Sequence, residues 1–204
     1  MSIKEVFVRF MELLENRFRK GTFTTEDSIR YTFFYCLTSY SSLDPADIIL
    51  EYPHPVINNA EVDMYIPPKT GRAGLAFEFK FDRTIPSGKN APRPQKAGKI
   101  FADLMRLSLF SSQEDVNRYF VYVTDMEMAQ YLQNATNQLC DFFNLMPEQM
   151  LRVDKAYIDK HSETFVKSAG SNINSCEVTC RLSVKVAKEG WLRIYEVNPL
   201  ATSM

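Results

Sequence analysis

The chain has 204 residues, 45% of them hydrophobic and 13% aromatic. That supports one sizeable domain with an ordinary core and excludes a disordered chain. Its 24 basic and 25 acidic residues leave a net charge of -1, so any surface for nucleic acid has to be local.

Lys4, Glu5 and Arg9 interrupt the apolar N-terminal residues, which argues against a secretory leader. No stretch approaches the roughly 18 uncharged apolar residues that cross a bilayer. The expectation is a soluble, cytoplasmic protein with no membrane association. Cys36, Cys140, Cys176 and Cys180 lack C-x-x-C spacing and read as reduced, mostly buried thiols. Cys176 and Cys180 share one side of a strand. A zinc site there needs further ligands, and His54 and His161 are the only histidines.

In chain order, Ile3, Val6, Phe7, Phe10, Leu13, Leu14 and Phe18 recur at helical spacing and predict a helix over 2–20, stopped by Gly21. Thr24 or Thr25 caps a second helix running to about 41, with Glu26 and Asp27 in its first turn. Strands are predicted at 48–52, 62–66 and 75–81, separated by Pro53, Pro55, Pro67 and Pro68 and a turn at 69–72. A loop over 84–94 follows, then a helix at about 95–110, a strand at 119–123, and two helices over 126–143 and 148–168. Alternation in 178–186 and 191–197 around Gly190 predicts a β-hairpin. His54, between two prolines, reads as a loop residue. Three successive strands imply an antiparallel meander, and the later strand-helix-strand step implies a parallel pair. The fold class is α/β: a central mixed sheet flanked by helices, with a C-terminal helical segment and hairpin.

In the third strand Glu78 and Lys80 are two apart and point to one face, with Phe77, Phe79 and Phe81 on the other. Antiparallel pairing of the second and third strands brings Asp63 beside Glu78. Two carboxylates held close repel unless a cation lies between them, and a hard divalent ion prefers such oxygen ligands. Lys80 would then orient or deprotonate water, or stabilise charge on a phosphate. The plainer alternatives are a surface ion pair for Glu78 and Lys80, an exposed strand position for Asp63, and dipole stabilisation for Glu26. From 80 to 106 the basic residues Lys80, Arg83, Lys89, Arg93, Lys96, Lys99 and Arg106 face only Asp82 and Asp103. Such a stretch suits a phosphate backbone, or else a solvated helix face. Ala97-Gly98 leaves room for a close backbone approach.

Asp63 … Glu78-Phe79-Lys80 resembles the motif of the PD-(D/E)XK nuclease superfamily, which includes many type II restriction endonucleases. The likeness covers residues 24–124, where helix, three-strand meander, helix and strand follow the family order. It implies a restriction-endonuclease-like core, with 125–204 as a C-terminal extension of one domain spanning 1–204. It further implies a Mg²⁺-dependent DNA endonuclease, with Mn²⁺ as a substitute, of use in restriction or antiphage defence. Asp63, Glu78 and Glu26 would bind metal and Lys80 would assist catalysis. Arg83, Lys89, Arg93, Gln95, Lys96 and Lys99 would contact DNA, and a homodimer would cut both strands. Val62 replaces the proline of the family motif. Lys99 stands where the recombination-exonuclease branch has tyrosine, which disfavours that branch. A non-catalytic nucleic-acid-binding or assembly module on the same fold is the alternative, and a structural α/β protein with a chance motif is a third.

Overall fold

The computed structural model describes residues 2–41, 43–85, 88, 90–110, 115–170, 174–188 and 190–200. The first helix, α1 (Ile3–Arg19), begins at a Ser2–Glu5 capping box, and α2 (Glu26–Tyr40) begins where the Thr25 hydroxyl accepts from the Ser28 amide. Strands β1 (Ile49–Pro53), β2 (Glu61–Ile66) and β3 (Gly74–Asp82) form an antiparallel meander. Helix α3 (Arg93–Ser108) then crosses to β4 (Val116–Asp125), which lies parallel to β3. The strand types and order therefore agree with the period-two reading, with ends shifted by a few residues.

The segment after β4 departs from expectation. In place of one helix over 126–143 there are α4 (Met126–Gln133), a 3-10 turn (Ala135–Asn137) and α5 (Cys140–Phe143). Asn134 caps the turn with its own side chain, and Gln138 takes a left-handed φ of 54°, so the helix cannot run through. In place of one helix over 148–168 there are β5 (Met150–Val153), α6 (Lys155–Asp159) and α7 (Glu163–Ala169). The side chains of Asp154 and Ser162 cap the two short helices, so each restarts the chain. The hairpin β6 (Cys176–Val186) and β7 (Gly190–Pro199) forms as expected.

The seven strands among the described residues belong to one mixed sheet in the order β1-β2-β3-β4-β7-β6-β5. β7 pairs antiparallel with β4, so residues beyond 125 extend the same sheet. Side-chain alternation divides the core. Phe77, Phe79, Tyr119, Val121, Leu192 and Ile194 pack against α1 and α2. Ala76, Phe120, Tyr122, Tyr195 and Val197 pack with α3 and the helices after β4 on the opposite face, where Cys176 and Cys180 are also buried. The result is a helix–sheet–helix sandwich. None of its helices is long and apolar enough to cross a membrane, among the described residues.

Gly98 has a structural explanation. A Cβ there would lie 2.4 Å from the Phe165 carbonyl oxygen and 2.7 Å from Ser168 Cβ, so the space beside it is filled by α7. Gly98→Ala must push α7 off α3, an overpacking change of roughly 1–3 kcal/mol. Calorimetry should show a melting temperature lower by several degrees; an unchanged melt would mean that this contact yields freely.

Candidate active site

β2 and β3 separate at the candidate site. The last paired residues are Met64 and Phe77, immediately beside Asp63 and Glu78. Beyond that point β3 keeps its pairing with β4 on one side and pairs with no strand on the other, among the described residues. Its free amides are capped by side chains: Phe79 N–H donates to Asp63 Oδ2 at 2.7 Å, and Phe81 N–H donates to Glu26 Oε2 at 2.8 Å. Glu26, the first residue of α2, is therefore tied to the same strand as Glu78 and Lys80, which goes beyond dipole stabilisation.

Glu78 is buried, with its Oε1 held by Arg106 of α3 and its Oε2 without a hydrogen-bond partner. Lys80 lies two residues along the same face, 3.7 Å from Asp103 Oδ2. Arg106 also reaches Asp103 Oδ1 at 3.0 Å. From α2, Arg30 donates to Asp63 Oδ1 at 2.6 Å and lies 3.5 Å from Glu51 Oε1. Glu51 has a left-handed φ of 53° although it is not glycine, and it stands between Leu50 and Tyr52, which pair with Met64 and Val62 on either side of Asp63. Such strain costs roughly 1–3 kcal/mol and collects at functional positions.

Burial raises the pKa of Glu78 well above the usual carboxylate value, and the nearby Asp63 charge adds to the effect. Burial also raises Asp63 and Glu26, against the lowering effect of the amides of Phe79 and Phe81. Lys80 is opposed by its own burial, but Asp103 and Glu26 outweigh it and hold the ammonium above its ordinary pKa. Asp82, next on this face, is raised by burial and accepts from Tyr122 Oη at 3.1 Å. Acidic side chains crowd this face, with Arg30, Lys80 and Arg106 set against them.

The sequence reading missed Arg30, Asp103 and Arg106 as members of this cluster. Arg30 follows Glu26 by four residues and Arg106 follows Asp103 by three, spacings that share a helix face and were the available signal. Arg106 points inward to Glu78 and so does not extend the basic surface. His54 is also more than a loop residue. It is buried, its Nδ1 accepts from the amides of Val56 and Ile57, and Nε2 lies 2.9 Å from the Arg106 carbonyl. With Nδ1 accepting twice, Nε2 carries the proton and donates, anchoring the turn of α3 that bears Arg106.

Thr25, Glu26, Lys80, Asp82, Lys96 and Lys99 line an open cleft of about 310 Å³. Lys99 is exposed there, whereas Lys96 Nζ donates to the Arg83 carbonyl at 3.0 Å. Arg83 stacks over the rings of Phe23 and Phe81. Arg93 stands outside the cleft lining, paired with Glu127 at 3.0 Å, and Gln95 is half-buried nearby on α3. Lys89 lies outside the described residues.

The donor chemistry around Asp63, Glu78 and Glu26 is all oxygen, and the unpartnered Glu78 Oε2 is an orphaned buried acceptor, both suited to a hard divalent ion. Among the described residues no three Asp, Glu, His or Cys side chains are gathered as a metal-holding group. Arg30 and Arg106 occupy the flanks of the carboxylates instead. No protein-family model, no curated protein and no solved structure matches the chain.

Proposed function

We propose that the chain is a Mg²⁺-dependent nuclease of the PD-(D/E)XK type that hydrolyses phosphodiester bonds in DNA, on a restriction-endonuclease-like core. The observation that carries this reading is the convergence of Asp63, Glu78 and Lys80 where β2 leaves β3, with Glu26 tied to the same open stretch. Asp63, Glu78 and Glu26 would hold Mg²⁺ or Mn²⁺. Bound there, the ion supplies Lewis-acid polarisation of the phosphate. The chain's own residues do the rest. Lys80 directs its ammonium at the attacking water and at negative charge developing on phosphorus. Lys96 and Lys99 border the path of the backbone, with Arg83, Arg93 and Gln95 as its outer contacts. Cutting both strands takes two such sites, so a homodimer belongs to the proposal.

Plasmid relaxation with and without Mg²⁺ tests it. Supercoiled DNA should be cut with Mg²⁺ or Mn²⁺ and remain intact in EDTA; cutting that ignores EDTA sinks the mechanism.

A second reading has its own support. Arg30 and Arg106 already neutralise Asp63 and Glu78, as in a fold that binds nucleic acid without cleaving it. Calorimetry that detects DNA binding without Mg²⁺ or Mn²⁺ uptake would favour that module.

A further inference from the structure

Beside the carboxylate face is a second cleft, of about 230 Å³, that holds none of the proposed metal ligands. Phe18 and Phe81 form its inner wall, with ring centroids 6.2 Å apart, and Phe23 forms its rim. Phe23 is 71% exposed, unusual for a phenylalanine with no core to fill. It is nonetheless held in place. Arg17 donates to the Phe23 carbonyl at 2.9 Å and to Thr24 Oγ1 at 3.1 Å, and Thr24 Oγ1 donates to the Thr22 carbonyl at 2.8 Å. The Arg83 guanidinium lies 4.5 Å from the Phe23 ring centre and 5.8 Å from that of Phe81. Phe81 and Arg83 also line the cleft of Glu26 and Lys80, so the two cavities share a wall.

We propose that this second cleft is a nucleobase pocket, taking one unstacked base of a strand whose backbone crosses the Glu78–Lys80 face. The identity of the ligand rests on the nucleic-acid reading above. An exposed ring on a braced loop, with a guanidinium over it, is a platform for flat heteroaromatic groups of any sequence. The shared wall sets a base in this pocket next to a phosphate at Lys80. A base reaches the cleft only once it has left its stack, so the cleft favours a strand that is unpaired at this position over an intact duplex. Thr22, exposed on the same loop, adds a hydroxyl to the lining, whereas Thr24 and Thr84 spend theirs on the Thr22 carbonyl and on Glu127.

The test is binding in EDTA, where no cleavage occurs, at one fixed salt concentration. An oligonucleotide carrying a fluorescent adenine analogue is titrated with the protein as a single strand and as a duplex. The single strand should bind more tightly and its fluorescence should change on binding. Phe23→Ala, at an exposed position, should weaken single-strand binding roughly tenfold or more, and Phe23→Trp should retain it. The same single-strand affinity for Phe23→Ala and wild type, or a wild-type preference for duplex, overturns the pocket. Phe23-dependent binding without any Mg²⁺-dependent cleavage supports the pocket and overturns the nuclease reading. Cleavage with binding indifferent to Phe23 overturns the pocket alone.

Discussion

Lys80→Ala should lower Mg²⁺-dependent cleavage roughly 100- to 10,000-fold, the usual contribution of one positioned proton-transfer or charge-stabilising group. The fold should tolerate the change. Lys80 is partly exposed, its contact with Asp103 is a long 3.7 Å, and Arg106 remains on Asp103. A loss of no more than about 1 kcal/mol is expected for such a pair. Single-turnover rates and thermal melts on the same preparation separate chemistry from folding. Lys99→Ala provides the contrast: an exposed cleft lysine should weaken DNA binding and leave the saturated rate nearly intact. If Lys80→Ala cuts at the wild-type rate, Lys80 has no part in the reaction, whatever its place on the strand.

Arg106→Ala should destabilise the metal-free protein by roughly 3 kcal/mol, because breaking a buried ion pair leaves its partner charged and unmatched. Arg106 bridges Glu78 and Asp103; its removal leaves Glu78 without its partner, while Asp103 keeps Lys80. Mg²⁺ should then stabilise the variant more than the wild type, since an ion that binds only the folded state adds stability according to its affinity. The measurement is a pair of melts for each protein, in EDTA and in millimolar Mg²⁺. Equal stability of variant and wild type in EDTA would mean that the guanidinium matters little. An absence of extra stabilisation by Mg²⁺ would mean that the carboxylates do not take up a cation, in favour of the binding-module reading.

The sheet half of this arrangement is legible in the residues. A seven-residue run alternating large apolar side chains with Glu78 and Lys80 defines a strand and its two faces, and the prolines around it define the meander. Tertiary partners are another matter. Arg30 and Arg106 look like ordinary helix-surface cations until the helices are docked, since nothing local says which face meets the sheet. β5 fails for a related reason. Met150–Val153 is only four residues long, and its strand character comes from pairing with β6, a contact distant in the chain. The long helices predicted after β4 fail locally. Asn134, Asp154 and Ser162 are side-chain caps whose preference for turning the chain outweighs the apolar periodicity around them. Gly98 suggested a close approach, and the approaching backbone belongs to α7.

Past Phe77, β3 exposes a short unpaired edge, the kind of surface on which a second polypeptide adds and aggregation begins. Asp63 and Glu26 plug it, one carboxylate oxygen on each open amide, and their charge repels an incoming carbonyl. The same two side chains thus protect the folded chain from recruiting its neighbours. Both acids therefore have a use in keeping the chain soluble that does not depend on any chemistry at the site.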